Sequence, residues 1–208
     1  MTRLAILDYG MGNLRSVAKA LEHVGARPEL TNDHARVREA EGVVLPGVGA
    51  MPKAMDRVRR LGLDELLRER VDAGLPLIGL CMGMQLLFES TTELGGAEGI
   101  GLLDGPVEQL DAPGLKVPQI GWNPVAWRRE SALNVGLPDP CAFYHANSFA
   151  PRPARHADVL GTAEYGSEFV SAVARGRVYG VQFHPEKSGP HGLSLLGNFV
   201  RACVAVTA

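Results

Sequence analysis

A cysteine held between two glycines, directly after a short apolar run, is the sequence feature that most restricts the fold of this chain. Residues 76–80 are predicted to form a buried strand, and Cys81 follows with Gly79 and Gly83 two positions to either side. Where a strand turns sharply into a helix, the helix packs closely on the strand, so these flanking positions require small residues. The sequence therefore predicts a strand, a tight turn that presents Cys81, and a helix. This is a nucleophile elbow with sulfur in place of oxygen.

The first half of the chain alternates short apolar runs with helical patterns, which is typical of βαβ units and a mainly parallel sheet. Residues 4–7 and 42–45 are predicted strands, and residues 51–58 carry a helical pattern. Asn13 can cap a helix whose apolar positions recur on one face, and Gly25 suits the left-handed position that ends it. The elbow is thus predicted to be one βα unit among several.

The second half is predicted to be rich in strands, because the apolar periodicity shortens towards two after about residue 99. Candidate strands lie around residue 107 and at residues 116–120, 142–149, 169–174 and 178–183, with a hairpin turn at 175–177, an exposed loop at 151–155 and a closing helix at about 193–204. No linker or repeat divides the chain. We predict a single α/β domain over residues 1–208: an open, mainly parallel sheet with flanking helices and an added β-rich part.

Composition and charge limit the partners that such a chain can have. Apolar residues make up 46% and charged residues 21%, and the formal net charge is −2. This balance predicts neither a nucleic-acid partner nor an anionic membrane partner. The apolar run at the start of the chain is too short for the core of a signal peptide. The most apolar stretch, residues 74–88, is shorter than the roughly 20 residues that span a bilayer. We therefore predict a cytoplasmic protein.

A nucleophilic thiol needs a base, and His184 is the best placed of the six histidines. It ends the predicted strand 178–183, so a parallel neighbour could present it beside the elbow, at the sheet edge where α/β proteins place their sites. Pro185 favours an extended backbone, in which Glu186 follows His184 on the same side. A carboxylate there would hold the imidazole tautomer and stabilise the imidazolium. The sequence predicts a triad of Cys81, His184 and Glu186.

Backbone amides near Cys81 are predicted to hold a developing oxyanion. The amide of Met82 follows the nucleophile at the start of the predicted helix, where unpaired N–H groups also favour the thiolate. The loop 46–49 closes another βα turn at the same edge, and its glycines would let the peptide between Val48 and Gly49 rotate and offer an N–H. This rotation would complete the oxyanion hole.

Neither a disulfide framework nor a metal site is predicted. His184 and His191 flank Glu186, but no helical histidine pair supports a metal site. The cysteines lie far apart without a C-x-x-C pair and are expected to be reduced thiols: Cys81, Cys141 and Cys203.

Two motifs, residues 79–85 and 184–186, resemble the class I glutamine amidotransferases, whose triad is Cys, His and Glu in that order. Within this class, residues 8–16, 118–123 and 184–188 are similar to the glutaminase subunits of imidazole glycerol phosphate synthases. The resemblance covers essentially the whole chain. It implies a flavodoxin-like fold, hydrolysis of glutamine to glutamate and ammonia, and no metal or organic cofactor. It also implies a heterodimer with a (β/α)8-barrel cyclase subunit that uses the ammonia in histidine biosynthesis.

The resemblance assigns further roles by position. Gln85, Ser148 and Phe149 would bind glutamine. The residues that would face the cyclase are Tyr9, Asn13, Trp122, Tyr144 and Lys187. One departure is that residues 147–149 read Asn-Ser-Phe where His-Ser-Tyr is commonest, so any contact through a tyrosine hydroxyl is lost.

Three alternatives remain at the level of sequence. The chain could be the glutaminase of another amidotransferase, such as the pyridoxal phosphate synthase, which shares the triad. It could be a cysteine peptidase or thioesterase on a similar elbow, which would need an open cleft for a bulky acyl group. A non-enzymatic binding subunit is the third, and it would lose nothing when Cys81 is replaced by serine.

Overall fold

The computed structural model describes residues 1–204. In the first half the elements are β1 (Arg3–Leu7), α1 (Leu14–His23), β2 (Arg27–Thr31), α2 (His34–Glu39), β3 (Gly42–Leu45), α3 (Met51–Arg60), α4 (Leu63–Asp72), β4 (Leu77–Leu80), α5 (Met82–Leu86), β5 (Ser90–Thr91) and β6 (Ala97–Glu98). They are followed by β7 (Pro106–Gln109), β8 (Gln119–Trp127), β9 (Cys141–Asn147), β10 (Phe149–Pro151), β11 (Val159–Tyr165), β12 (Ser167–Arg175), β13 (Val178–Val181) and α6 (Gly189–Val204).

A nine-stranded sheet organises the described residues, in the order β2-β1-β3-β4-β13-β12-β11-β8-β9. From β2 to β13 neighbouring strands are parallel, and from β13 to β9 they are antiparallel. A second, four-stranded sheet has the order β10-β7-β5-β6. The prediction of an α/β fold with a largely parallel sheet and a β-rich second half is confirmed.

Helices cover both faces of the central parallel strands, which explains why β3, β4 and β13 are buried along their whole length. On one face α1 and α6 contribute Leu21 and Phe199 to the core. On the other face α3 and α4 contribute Met55 and Leu66. Among the described residues, none of the helices is long and apolar enough to cross a membrane.

Some predicted boundaries are wrong, and each error has a local cause. The strand predicted at 116–120 instead starts at Gln119, after a proline that lacks a backbone donor, and continues to Trp127. The strand predicted at 142–149 is two strands that separate at Ser148 and join different sheets. The loop predicted at 151–155 begins with a buried Pro151 that still belongs to β10.

Elements without an apolar period were missed. The strand β2 lies at the sheet edge with a mostly exposed, polar sequence. The strand β11 contains register shifts around Gly161, which interrupt its alternation. Two predicted turns are confirmed, since Gly25 has φ +87° at the end of α1 and Gly176 has φ +56° between β12 and β13. Asn13 does occupy the N-cap position of α1, but its side chain makes no capping hydrogen bond.

Candidate active site

The turn between β4 and α5 places Cys81 at the carboxyl edge of the parallel strands. Its backbone has φ 53° and ψ −111°, a conformation that residues with a Cβ rarely adopt. The Cys81 amide donates a 2.8 Å hydrogen bond to the carbonyl of Val181, which ties the turn to β13. The side chain is only 7% exposed. Neighbouring strands therefore hold the nucleophile in a strained, defined position.

The two glycines of the elbow are required by close backbone packing. A Cβ on Gly79 would lie 2.6 Å from the carbonyl oxygen of Gly83. A Cβ on Gly83 would lie 1.7 Å from the carbonyl oxygen of Leu45 on β3. The helix α5 that follows has only five residues, so few backbone dipoles are aligned behind Cys81.

His184 reaches the same edge because β13 runs parallel to β4, with Val181 paired to Leu80. Its amide donates to the carbonyl of Tyr144 over 2.9 Å, which fixes the backbone. Its Nδ1 lies 2.9 Å from Oε1 of Glu186, whose side chain is 1% exposed. Since a carboxylate only accepts, Nδ1 carries the proton and Nε2 is left to face Cys81. The structure thus brings the three predicted residues together.

The route from His184 to Glu186 differs from the expected one. His184 itself is extended, with φ −99° and ψ 94°, but residues Pro185–Lys187 form a 3-10 turn instead of continuing as extended chain. The turn, closed by a hydrogen bond from the Lys187 amide to the His184 carbonyl, folds the carboxylate back onto the imidazole. The predicted contact is therefore made by a different backbone geometry.

The surroundings of His184 favour its charged form. Burial alone would lower the pKa of the imidazole, but hydrogen bonds to Cys81 and Glu186 and the negative charge of both outweigh burial and raise the pKa to about 9. This arrangement favours the imidazolium form of His184. The second oxygen of Glu186, Oε2, has no hydrogen-bond partner within residues 1–204, and Glu186 and Asn13 both line a void of about 10 Å³.

A cavity of about 300 Å³ opens in front of Cys81 and His184. Its other lining residues include those predicted to hold the oxyanion and the substrate, namely Val48, Gly49, Met82, Gln85, Ser148 and Phe149. Gly49 has φ +98°, which suits the glycine predicted at that turn. Gln85 is 3% exposed and donates through Nε2 to the carbonyl of Phe149 over 3.1 Å.

Residues 5–203 match the family model described as glutamine amidotransferase class-I. The chain belongs to this family. Its relatives include the imidazole glycerol phosphate synthase subunit HisH of Moorella thermoacetica, 47% identical over 199 residues that cover 96% of this chain and 94% of that protein. The subunit of the same name from Pseudomonas savastanoi pv. phaseolicola is 48% identical over 206 residues and covers 96% of this chain and 97% of that protein.

Solved structures of low sequence identity share the fold of this amidotransferase. The structure titled PurLQS from Thermotoga maritima has a TM-score of 0.77 at 19% identity and covers 97% of this chain and 99% of that chain. A structure titled glutamine amidotransferase has a TM-score of 0.73 at 21% identity, with coverage of 97% and 98%. The class I amidotransferase fold that the motifs predicted is therefore confirmed.

Glu93 and Gln182 belong to this amidotransferase site although neither was predicted there. Glu93 lines the cavity, and its Oε2 accepts a 2.7 Å hydrogen bond from the amide of Met51. Gln182 is fully buried, and its Nε2 lies 3.7 Å from Sγ of Cys81. A glutamine within the predicted strand 178–183 indicated a buried polar group but not its partner, whereas nothing around Glu93 in the sequence distinguishes it from a surface carboxylate.

An exposed apolar surface lies beside the mouth of the amidotransferase cavity. Ile120 is 66% exposed and Trp122 is 59% exposed, both on the outward side of β8. Trp122 contacts Tyr144 edge to face, with 6.3 Å between ring centroids, and the ammonium of Lys187 lies 5.8 Å from the Tyr144 ring centroid. We call Ile120, Trp122, Tyr144 and Lys187 the β8–β9 surface.

Tyr9 needs a correction, because it was predicted to face a partner. Its side chain is 3% exposed and its hydroxyl donates a 2.6 Å hydrogen bond to the carbonyl of Pro46. Burial, together with the nearby Cys81, raises the pKa of the phenol well above its ordinary value. Tyr9 therefore supports the loop that carries Val48 and Gly49 from within. Asn13 is half-buried at the start of α1.

A larger cavity of about 660 Å³ lies away from Cys81, among β7, β10, β11 and β12. Four of its charged lining residues form two ion pairs, Arg128 with Glu168 and Arg152 with Glu108, and the carboxylate of Asp111 accepts a hydrogen bond from the Ser167 hydroxyl. Without an unpaired buried polar group it offers no chemistry comparable to the site at the elbow.

Proposed function

We propose that the chain is the glutaminase subunit of an imidazole glycerol phosphate synthase. It hydrolyses glutamine to glutamate and ammonia, and a separate cyclase subunit uses the ammonia in histidine biosynthesis. The observation that carries this proposal is the position of Cys81 at a strained elbow, beside a buried His184–Glu186 pair that faces a cavity of substrate size. The HisH relatives, 47% and 48% identical, supply the pathway.

Cys81, His184 and Glu186 act as nucleophile, base and orienting carboxylate in the proposed mechanism. His184 takes the thiol proton, the thiolate attacks the side-chain amide carbon of glutamine, and amides of Met82 and of the Val48–Gly49 peptide hold the oxyanion. His184 then gives its proton to the departing nitrogen, so that ammonia leaves and a thioester remains. Water, deprotonated by His184, hydrolyses the thioester to glutamate and restores the thiol.

Substrate binding follows from the donors and acceptors of the cavity. Both N–H groups of Gln85 are engaged, by the Phe149 carbonyl at 3.1 Å and by Oε1 of Gln182 at 3.0 Å, so the amide oxygen of Gln85 is the atom offered to the substrate. An oxygen acceptor and the carboxylate of Glu93 suit the α-ammonium group of glutamine. Ser148 and Phe149 complete the binding site, with backbone contacts replacing any tyrosine hydroxyl.

The role of Glu93 can be tested by kinetics of glutamine hydrolysis. Glu93→Gln should raise KM for glutamine about tenfold, because a charge-assisted contact becomes a neutral one, while kcat changes little. Glu98→Gln is the matched control, since Glu98 is a neighbouring carboxylate with an 88% exposed side chain. An unchanged KM in Glu93→Gln, or an equal rise in both variants, would exclude Glu93 from substrate binding.

The partner in this proposal is a (β/α)8-barrel cyclase subunit, bound as a heterodimer through the β8–β9 surface and Asn13. An exposed tryptophan and isoleucine beside a lysine fit the aromatic and apolar centre of a protein interface. The surface adjoins the cavity mouth, where Lys187 also lines the cavity, so ammonia would have a short path to the partner. Binding there would turn the Val48–Gly49 peptide and complete the oxyanion hole.

We also propose that residues 1–208 form one domain and act in the cytoplasm without a metal or organic cofactor. The family match that runs without a break from residue 5 to residue 203 supports the domain assignment. Within residues 1–204, no cluster of three histidine, cysteine or acidic side chains could hold a metal ion. The proposed mechanism uses proton transfer and a thioester only, so its chemistry needs neither kind of cofactor.

The test is release of glutamate from glutamine by the chain, with and without the barrel cyclase and its nucleotide ligand, and with Cys81→Ser as control. Activity that requires Cys81 and rises when the cyclase and ligand are present would support the proposal. High activity that the partner leaves unchanged would contradict the coupling to the Val48–Gly49 peptide. If glutamine is untouched in every combination, thioester and peptide substrates should be assayed, because a peptidase or thioesterase then becomes the better assignment.

A further inference from the structure

A row of side-chain amides connects the glutamine cavity to the nucleophile. Gln85 donates through Nε2 to the carbonyl of Phe149 at 3.1 Å and to Oε1 of Gln182 at 3.0 Å. Gln182 in turn donates through Nε2 to Sγ of Cys81 at 3.7 Å. Gln182 is completely buried and Gln85 is 3% exposed, so water does not compete with these contacts.

The direction of every hydrogen bond in this row is fixed by one group. The carbonyl of Phe149 can only accept, so the Gln85 atom that faces it must be nitrogen. The same nitrogen faces Gln182, so the Gln182 atom there must be oxygen. Its nitrogen then has to face the sulfur of Cys81. The N–H donor aimed at Sγ is thus dictated by a backbone carbonyl and does not depend on an arbitrary choice of amide orientation.

We propose that Gln182 is a positioning residue that stabilises the thiolate of Cys81 and links it to Gln85 in the substrate site. The link to a glutamine substrate through Gln85 rests on the proposed glutaminase function, whereas the stabilisation of the thiolate does not. A thiolate is a strong acceptor and a thiol a weak one, so a fixed N–H donor favours the charged form of the nucleophile. The donor is neutral, so it does not repel the His184 imidazolium.

Other groups around the sulfur act differently from Gln182. His184 exchanges its proton with Cys81, and Glu186 stands behind His184. The carbonyl of Ala146, 4.0 Å from Sγ, can accept only from the neutral thiol. The buried Tyr9 hydroxyl is committed to Pro46, while Glu93 and Lys187 line the cavity with opposite charges. Apart from His184, Gln182 is the side chain of residues 1–204 that donates an N–H to Sγ of Cys81, and unlike His184 it does not exchange a proton with the sulfur.

Two substitutions separate the donor to sulfur from the acceptor to Gln85. Gln182→Glu keeps an oxygen that accepts from Gln85, but it replaces the donor to Cys81 by a second carboxylate oxygen. Gln182→Met removes both contacts at similar volume. The readout is the rate of Cys81 alkylation by iodoacetamide against pH, which follows the thiolate fraction and needs no glutamine. Cys141 and Cys203 stay silent, because burial raises the pKa of these thiols to about 11 and about 12.

The expected result is a higher pH midpoint of Cys81 alkylation in both variants. Gln182→Met should raise it by about one pH unit, which means about tenfold slower alkylation below both midpoints, and Gln182→Glu should raise it further. In glutamine hydrolysis, Gln182→Glu should lower kcat and leave KM near its normal value, whereas Gln182→Met should also raise KM because Gln85 loses its acceptor.

Asn123→Leu is the matched control, because Asn123 is another buried amide that donates, over 2.8 Å, to the carbonyl of Glu164. It should leave the alkylation midpoint unchanged. Urea unfolding of each variant checks that the fold is kept. An unchanged midpoint in a folded Gln182→Glu protein would overturn the proposal. If instead the midpoint moves as expected but the native chain hydrolyses no glutamine, the proposed function fails while the role of Gln182 in stabilising the thiolate stands.

Discussion

Replacing Cys81 by glycine should make the fold more stable than replacing it by alanine, which reverses the usual order of these two residues. The reason is the backbone of Cys81, at φ 53° and ψ −111°. These angles match the first central position of a type II′ turn, where glycine is favoured because a Cβ is strained. Both variants lack the sulfur, so the comparison isolates the Cβ atom.

The magnitude follows from two opposing effects. Holding a residue with a Cβ at these angles costs about 2 to 3 kcal/mol, the upper part of the range for strained backbone. Glycine loses about 1 kcal/mol through the greater entropy of its unfolded chain. Cys81→Gly should therefore exceed Cys81→Ala by about 1 to 2 kcal/mol in free energy of unfolding, or about 2–8 °C in Tm for a chain of this size.

Urea unfolding followed by circular dichroism, with calorimetry for Tm, measures this difference. Ala20, inside α1, provides the reference, because there the native alanine should make the fold more stable than Ala20→Gly by about 1 kcal/mol. If Cys81→Ala equals or exceeds Cys81→Gly in stability, the elbow is not strained, and the account of how the fold holds the nucleophile is refuted.

Four further outcomes follow from the structure. Cys81 and Glu186 raise the pKa of His184 from its ordinary 6.5 to about 9, so the stabilisation from its protonation is fully present below pH 6.5 and is lost as pH rises through 9. Urea titrations of the wild type should show a loss of up to about 3 kcal/mol in free energy of unfolding over this range, and His184→Gln should not show it. Burial lowers the pKa of His145 to about 4, so the stability that its neutral form contributes is present above pH 6.5 and is lost as pH falls towards 4. His145→Gln should therefore reduce the loss of free energy of unfolding at acid pH by up to about 3 kcal/mol. Gly83→Ala should lower the free energy of unfolding by about 3 kcal/mol or more, because the new methyl group would clash with the carbonyl of Leu45. Gly197→Ala in α6 should be neutral or stabilising, and equal shifts in Tm for the two variants would contradict the close packing at Gly83. Trp122→Ala should weaken cyclase binding about 30-fold by calorimetry, and an unchanged Kd would remove the β8–β9 surface from the interface.

Local geometry explains what could be predicted for the fold and the site. The elbow was predictable from residues 79–83, because the tight turn brings Gly79 against the backbone of Gly83, although the contact that excludes a Cβ at Gly83 is with Leu45 of the neighbouring strand β3. His184 and Glu186 are two residues apart, so their contact needed no knowledge of the rest of the fold, even though a 3-10 turn makes it. The parallel strands other than the polar edge strand β2 were also predictable, since burial on both faces leaves continuous apolar runs.

Only the tertiary structure decided the features that depend on distant residues. Gln182 and Cys81 are 101 residues apart, and no local pattern indicates which amide will face the sulfur. Glu93 lines the cavity because its carboxylate accepts a hydrogen bond from the backbone amide of Met51, 42 residues away. Tyr9 was expected on the surface but is buried under the loop that starts at Pro46. Steric limits between neighbouring residues can be predicted from the sequence, because they depend on a few adjacent positions. Burial and side-chain partners depend on which strands and loops meet in the folded sheet, so only the tertiary structure determines them.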